Sequence, residues 1–458
     1  MEAEPTALRL PDPGIRALFS EGARWQSWLD VEAALAAAEA ELGVIPADAA
    51  AEIRRSARLE LLDREAIRAG LERTGHALVP LIWELDRVCR GEAGGFVHWG
   101  ATTQNITQTG LILQLRTAHE TFLDLLAAIL ETLAELAERT AEMSLPARTH
   151  GQHAVPATFG LKVAVWIDEL SRHIDRLRGC EPRVFVAMFG GAAGTLASVG
   201  EIGVEIQARM AAQLGLRPMP MPARTIGDHL AEYVALLGLL AATCSKIGRE
   251  VYELMKPEFG EVEEPVPPGT VGSSTMPQKR NPKLCQDVIA AAAELRALVP
   301  LALEAMQTEH EADRTTSLMI GRAVSAGCIL TGEILVRLDT LFAGLRIFPE
   351  RMRRNLDLSG GLIMAEAVML ELGKRLGRQR AHDVVYEAAQ TAATSGRAFR
   401  DLLLEDATVR QQLSAAEIDV LLDPVRYIGI SATFAHRAAA AGRELAASIR
   451  VRQPTSVR

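Results

Sequence analysis

The sequence predicts an all-α protein: a long central helical bundle with smaller N- and C-terminal helical domains. Three observations predict it. Ala and Leu dominate the apolar residues while aromatics make up only 4%, a mix that suits close helix–helix packing better than sheet faces, which favour Val, Ile, Tyr and Phe. Long stretches repeat their apolar positions at helical spacing. Gly-containing breaks at 89–96 and 346–361 separate those stretches from shorter ones on either side. The expected division is 1–97, 98–348 and 349–458.

Taken in order, "RWQSWLDVEAALAAAEAELG" (24–43) reads as a helix ending at Gly43, with Pro46 opening shorter helices that reach about residue 90. "CRGEAGGF" (89–96) is the first boundary. Residues 108–143 give about ten turns without Gly or Pro after Gly110. Further helices are expected over 157–179, over 227–256, from Asn281-Pro282 to about 309, and over about 318–346. At the fourth of these, Asn281 is expected at the N-cap and Pro282 at the first helical position. The 227–256 helix is apolar on most faces at its centre, which predicts burial between subunits of an obligate oligomer. "RIFPERMRRNLDLSGG" (346–361) is the second boundary, short helices with Gly breaks follow, and the tail "VRQPTSVR" is expected to fray.

Composition excludes several classes. A net charge of −9 argues against a general nucleic-acid surface, though a small cationic pocket for an anionic substrate is compatible with it. Five dispersed cysteines, with no CxxC pair, read as reduced thiols of a cytoplasmic protein. The acidic, Pro-rich start does not read as a signal peptide, and none is expected. No uninterrupted apolar run reaches roughly 18 residues, so no membrane span is expected.

Four stretches could carry chemistry. "GSSTMPQKRNP" (272–282) puts hydroxyls (Ser273, Ser274) beside a flexible Gly, a cation (Lys279) and an amide (Asn281) at a helix start. Lys, backbone N–H groups and a helix N-terminus can stabilise an alkoxide and so make a serine basic; an ordinary capped loop is the plain alternative. "HWGATTQNITQT" (98–109) offers hydroxyls and N–H groups to a carboxylate or phosphate, against a simple N-cap. "ARTHGQHAVPATFG" (147–160) holds Thr149, His150, Gln152 and His153 between two Pro, with imidazoles that titrate near neutrality. A zinc pair is the rival there, but no third ligand stands at convincing spacing, so no metal is expected. In "TGHALVP" (74–80), His76 alone says little.

Together these stretches resemble the class II fumarase/aspartase superfamily over roughly residues 15–440. The signature GSSxMPxKxNP stands complete at Gly272–Pro282, and "GATTQN" and "RTHGQH" resemble the other two shared regions. The resemblance implies a homotetramer around a central bundle, each active site taking its segments from three subunits. It implies proton abstraction beside a carboxylate and departure of a leaving group from the next carbon, through an aci-carboxylate whose charge must be stabilised. Ser273 is then the base and His150 the acid. Lys279 and Asn281 grip one carboxylate; Thr102, Thr103 and Asn105 contact the other; Thr149, Gln152, Ser274 and Met276 line the site. His76 resembles the second histidine of the adenylosuccinate lyase branch. No cofactor is needed, and the loop around 261–280 closes over the substrate.

Two branches compete. "FGGAAGTLASVG" (189–200), "GEVEEP" (260–265) and "GGLIMAEAV" with "LGRQRAHDVV" resemble 3-carboxy-cis,cis-muconate cycloisomerase; "RTHGQHAVPATFG" looks like adenylosuccinate lyase. The arginine of that branch's ERD segment is replaced by Ala312, leaving Arg314 and Arg322 as substitutes, an early Arg-Tyr pair is missing, and Asn105 and Gln108 stand where the family usually has Asp. The expected function is fumarate release from a succinyl-type substrate by C–N cleavage, with the cycloisomerase as alternative and a non-catalytic scaffold as the reading of another class. The expected partners are a small anionic dicarboxylate and further copies of the chain, with neither nucleic acid nor membrane.

Overall fold

Ala, Leu and Glu fill every long segment, and the backbone answers with helix: the computed structural model, which describes residues 7–451, is 69% helical. The expected fraying of the tail concerns 452–458 and lies outside the described residues. In chain order the elements used below are α1 (Glu21–Glu41), α2 (Val79–Val88), α3 (Thr103–Arg139), strands β1 (Ser144–Thr149) and β2 (Gln152–Thr158), α4 (Phe159–Val184), β3 (Val186–Ala187), α5 (Ile202–Gln213), β4 (Arg217–Pro218), α6 (Asp228–Met255), β5 (Val262–Glu263), α7 (Lys283–Glu304), α8 (Arg314–Ala343), β6 (Arg346–Ile347), α9 (Pro349–Asp357), α10 (Ala365–Leu376), α11 (Arg378–Ser395) and α12 (Ser431–Val451). The strands pair two by two, β1–β2 and β5–β6 antiparallel and β3–β4 parallel.

Several boundaries differ from expectation. α3 starts five residues before 108, because Asn105 Oδ1 reaches back to the N–H of Thr102 (3.1 Å) and caps the first turn. α4 runs through Gly179 and Pro182 to Val184; burial of Leu177, Cys180 and Val184 outweighs the local breakers. Residues 144–158, for which no strand is expected from the sequence, form a hairpin. Asn281 is not the cap of α7. Its Nδ2 donates to the carbonyl of Gly272 (2.7 Å), and the N–H groups of Leu284 and Cys285 go to the carboxylate of Glu264 (3.1 and 3.2 Å). A buried acid twenty residues upstream thus satisfies the helix start.

Two helices, α6 and α8, reach the length and apolarity of a membrane span, a match that counting uninterrupted apolar runs did not find. In each, more than half of the most apolar window is buried inside the structure (61% and 56%), the placement of core helices.

The chain divides into two compact units, Met1–Asp124 with His173–Cys244 and Ala290–Val336, and Leu125–Arg172 with Ser245–Ile289 and Arg337–Arg458. The three-segment division follows the chain instead and stands as a proposal. The first unit buries Phe122, Phe189 and Tyr233; the second buries Phe159, Phe342 and Phe399, with Trp166 stacked on Phe342 at 5.8 Å.

In the second unit the segment "GEVEEP" uses its three acids in three ways. Glu261, fully buried, takes a two-pronged bond from Arg148 of β1 (2.6 and 3.1 Å) and a third from Asn355 of α9 (2.7 Å); the Arg148 guanidinium also lies over the Phe259 ring at 4.6 Å. Glu263 pairs with Arg346 (2.6 Å) and Arg280 (3.2 Å). Glu264 caps α7. The two roots of the 265–282 loop are therefore tied together, and one of them is tied to the hairpin.

Two outcomes follow from these buried acids. Removing one partner of a buried ion pair strands the other, so Glu261→Ala is expected to lower stability by about 3–5 kcal/mol in urea unfolding, and Glu261→Gln by less. In the first unit, Glu39 of α1 is fully buried, and neither of its oxygens is bonded among the described residues. Burial, with a smaller push from Glu32, raises it from 4.5 to about 8. Through that window the unfolded chain releases a proton that the folded chain keeps, so stability falls as pH rises from the lower value to the higher. Glu39→Gln should flatten that fall, with its largest gain in Tm above the window, in thermal unfolding followed across it.

Candidate active site

The signature loop closes on itself. At Gly272 a Cβ would stand 1.9 Å from the carbonyl oxygen of Lys279, so only glycine allows the two strands of the loop to meet there. Asn281 Nδ2 and Lys283 Nζ lock the same end, bonding the carbonyls of Gly272 (2.7 Å) and Val271 (2.8 Å). Inside this closure Ser273 is half-buried, and its Oγ accepts the backbone N–H groups of Thr275 (3.3 Å) and Met276 (3.1 Å). Two N–H dipoles aimed at one oxygen favour its anionic form. Ser274, Met276 and Lys279 are exposed, and no carboxylate among the described residues pairs with the Lys279 ammonium.

The hairpin presents the second group. Thr149 pairs with Gln152, leaving His150 and Gly151 as a two-residue turn with φ of 52° and 76°. Both central residues positive is the type I′ condition, which matches strand twist; a histidine held at positive φ is an uncommon state that functional sites retain. Thr149, His150 and Gln152 are exposed at the tip. His153 stands across from Arg148, and burial, then the Arg148 charge, holds its imidazole below the usual value. Among the described residues no hydrogen bond joins Thr149, His150 or Gln152 to Ser273, Lys279 or Asn281. No group of three His, Cys, Asp or Glu side chains among them is arranged to hold a metal.

The first unit brings His76, Thr102, Thr103 and Asn105 together. His76 Nδ1 accepts the N–H groups of Leu78 (3.3 Å) and Val79 (3.1 Å) at the start of α2. That fixes the neutral ring as the Nε2–H tautomer, and Nε2 lies 3.4 Å from Thr103 Oγ1. Asn105, 1% exposed, accepts from Thr102 N and Gly191 N, both at 3.1 Å, through Oδ1. Its Nδ2 has no partner among the described residues. This is a cluster of donors at a helix start with no acid among its side chains, suited to an anion.

Sequence reasoning missed Arg148 and Glu261, which join the hairpin to the loop root. The run of three Glu in "GEVEEP" was the available signal, but pattern alone does not say which of the three is buried.

A family model described as "Lyase" matches residues 8–296, and one described as "Adenylosuccinate lyase C-terminus" matches residues 361–438. The chain is 42% identical over 429 residues to a 3-carboxy-cis,cis-muconate cycloisomerase of Pseudomonas aeruginosa, covering 93% of this chain and 94% of that one. It is 40% identical over 417 residues to an N-acetyl-S-(2-succino)cysteine lyase of Dickeya dadantii, covering 91% and 92%. The crystal structure of a 3-carboxy-cis,cis-muconate lactonizing enzyme from Pseudomonas putida superposes with a TM-score of 0.89 at 36% identity, covering 97% of this chain and 100% of that one. With likeness of this extent at the level of sequence and of backbone, the chain belongs to the lyase family of the class II fumarase/aspartase superfamily and is an enzyme of that superfamily.

Proposed function

We propose that this lyase releases fumarate from a succinyl-type substrate, with Ser273 as base and His150 as acid. The observation that carries the reading is the pair of N–H groups on Ser273 Oγ, which stabilises an alkoxide within the complete signature. Ser273 takes the proton from the carbon beside one carboxylate. The electron pair moves into that carboxylate, giving the aci form, and Lys279 with Asn281 holds the added charge. The pair then returns to form the double bond as the bond from the neighbouring carbon to the leaving atom breaks. His150 gives that atom its proton. Thr102, Thr103, Asn105 and His76 hold the second carboxylate; Thr149, Gln152, Ser274 and Met276 line the cavity. Protons balance and no redox partner is required. The leaving atom is nitrogen in the adenylosuccinate lyase-like form, and the succinocysteine lyase relative supports sulfur in its place.

The working particle is a homotetramer whose sites combine segments of three copies. The exposed hairpin tip, which among the described residues makes no hydrogen bond to Ser273, Lys279 or Asn281, supports it, as do Val165 of α4 (46% exposed) and Leu239 of α6 (51% exposed), apolar side chains that association would cover. The five unpaired cysteines, four of them buried, fit a reducing compartment.

A second reading, cycloisomerisation of a carboxymuconate, is favoured by the 42% identity to the enzyme of that name; run in reverse, the same machinery would serve it, one carboxylate adding to a double bond of the same molecule, the anion grip holding the aci form, and the Ser273 hydroxyl giving its proton to the carbon beside it. Loss of fumarate absorbance with N-acetylcysteine or simple amines is the test. Ser273→Ala is expected to lose about 10²–10⁴-fold in kcat with an unchanged circular dichroism spectrum. Near-native turnover in that variant removes Ser273 from its role, and lactone formation from carboxymuconate without any fumarate turnover establishes the second reading.

A further inference from the structure

Outside the groups assigned above, the first unit holds a cation that no acid neutralises. Arg224 is half-buried. Its Nε donates to Gln104 Oε1 (3.1 Å) and its Nη1 to the carbonyl of Ala192 (2.8 Å). Gln104 Nε2 in turn donates to the carbonyl of Arg224 (2.8 Å) and to Gln108 Oε1 (3.0 Å). The guanidinium plane is thus fixed against the first turn of α3, the turn that bears Thr103 and Asn105. No carboxylate among the described residues forms an ion pair with it.

Asn105 supplies an independent sign of a ligand. Its Oδ1 faces two backbone N–H groups, so exchanging the amide's oxygen and nitrogen would set donor against donor. Nδ2 is therefore the atom left buried without an acceptor among the described residues, a costly state that a bound group with an acceptor relieves. Asn105 Oδ1 accepts the N–H of Gly191 and Arg224 Nη1 donates to the carbonyl of Ala192, so the two side chains hold consecutive residues of one turn. Thr102 Oγ1, with no partner among the described residues, adds a third donor. On the elimination reading Asn105 and the threonines hold one carboxylate, which leaves the Arg224 guanidinium, bonded to Gln104 of the same helix turn, as one cation more than a succinyl group requires.

We infer that Arg224 is a specificity residue that binds a third carboxylate, so that the leaving group of the substrate is itself acidic. This rests on the elimination reading above and names its substrate class. A single cation matches the single charge of a carboxylate, and the fixed guanidinium fork matches its planar geometry. Gln104 is the positioning residue that holds the fork in place.

Calorimetric titration with propane-1,2,3-tricarboxylate and with succinate tests this without requiring turnover. The native protein should bind the tricarboxylate about 10–100-fold more tightly, the range of one charge-assisted bond. Arg224→Gln should bring the ratio of the two affinities close to one. Arg224→Lys should retain part of it, having charge but no fork, and Gln104→Ala should give an intermediate ratio. Because the ratio is taken within each variant, general damage to the fold, which weakens both ligands together, does not imitate the effect. Equal affinities in the native protein, or an undiminished ratio in Arg224→Gln, overturn the inference. A preference for the tricarboxylate without fumarate turnover overturns the elimination reading alone, and fumarate turnover without that preference overturns this inference alone.

Discussion

A buried carboxyl group left without donors is costly in its charged form, and the second unit is organised around supplying donors to two of them. Glu261 and Glu264 flank the short strand β5, and each has been matched with a dedicated set of donors: Arg148 and Asn355 for one, the opening N–H groups of α7 for the other. Unmatched, either would cost several kcal/mol. Matched, they decide where the signature loop leaves the core and where it returns. The loop interior then needs only short-range bonds of its own, which is why so polar a stretch holds a defined shape with little apolar burial.

The helical architecture was legible because it rests on composition and period, which the sequence carries openly: the interiors of α3, α6 and α8 follow their apolar repeat. The ends were less so. Gly179 and Pro182 look like stops, yet burial of Leu177 and Val184 carries α4 past them. Asn281 before Pro282 has the form of a cap, but the cap comes from Glu264, a pairing set by tertiary structure and invisible to a local window. The hairpin was missed for a related reason, since its Pro-containing arms do not alternate cleanly; only the His-Gly pair hinted at a tight turn.

The candidate site was legible through the residue types of its signature, while the supporting groups were not. Hydroxyls, amides and imidazoles crowded into polar stretches announce chemistry. A single arginine such as Arg224, in a loop without period, announces nothing until its bonds to Gln104 and Ala192 are seen. The charge pattern is similarly local. The molecule carries a net −9, yet among the described residues no acid pairs with the donor cluster of the first unit or with the Lys279 ammonium, so each can attract an anion that the surface as a whole repels.

The turn at His150 and Gly151 has a consequence for how such a molecule can change over time. Between the turn and the register shift at Pro146/Arg148, alternating strand geometry turns the arms of the hairpin into a ruler: the height at which the imidazole stands is a count of rungs, and adding or deleting one residue there would invert which side the side chains up to that shift face. Replacements along the arms are therefore tolerable where length changes are not. Diversification of this enzyme is channelled into substitution at fixed length here, and insertions are left to segments that carry no register.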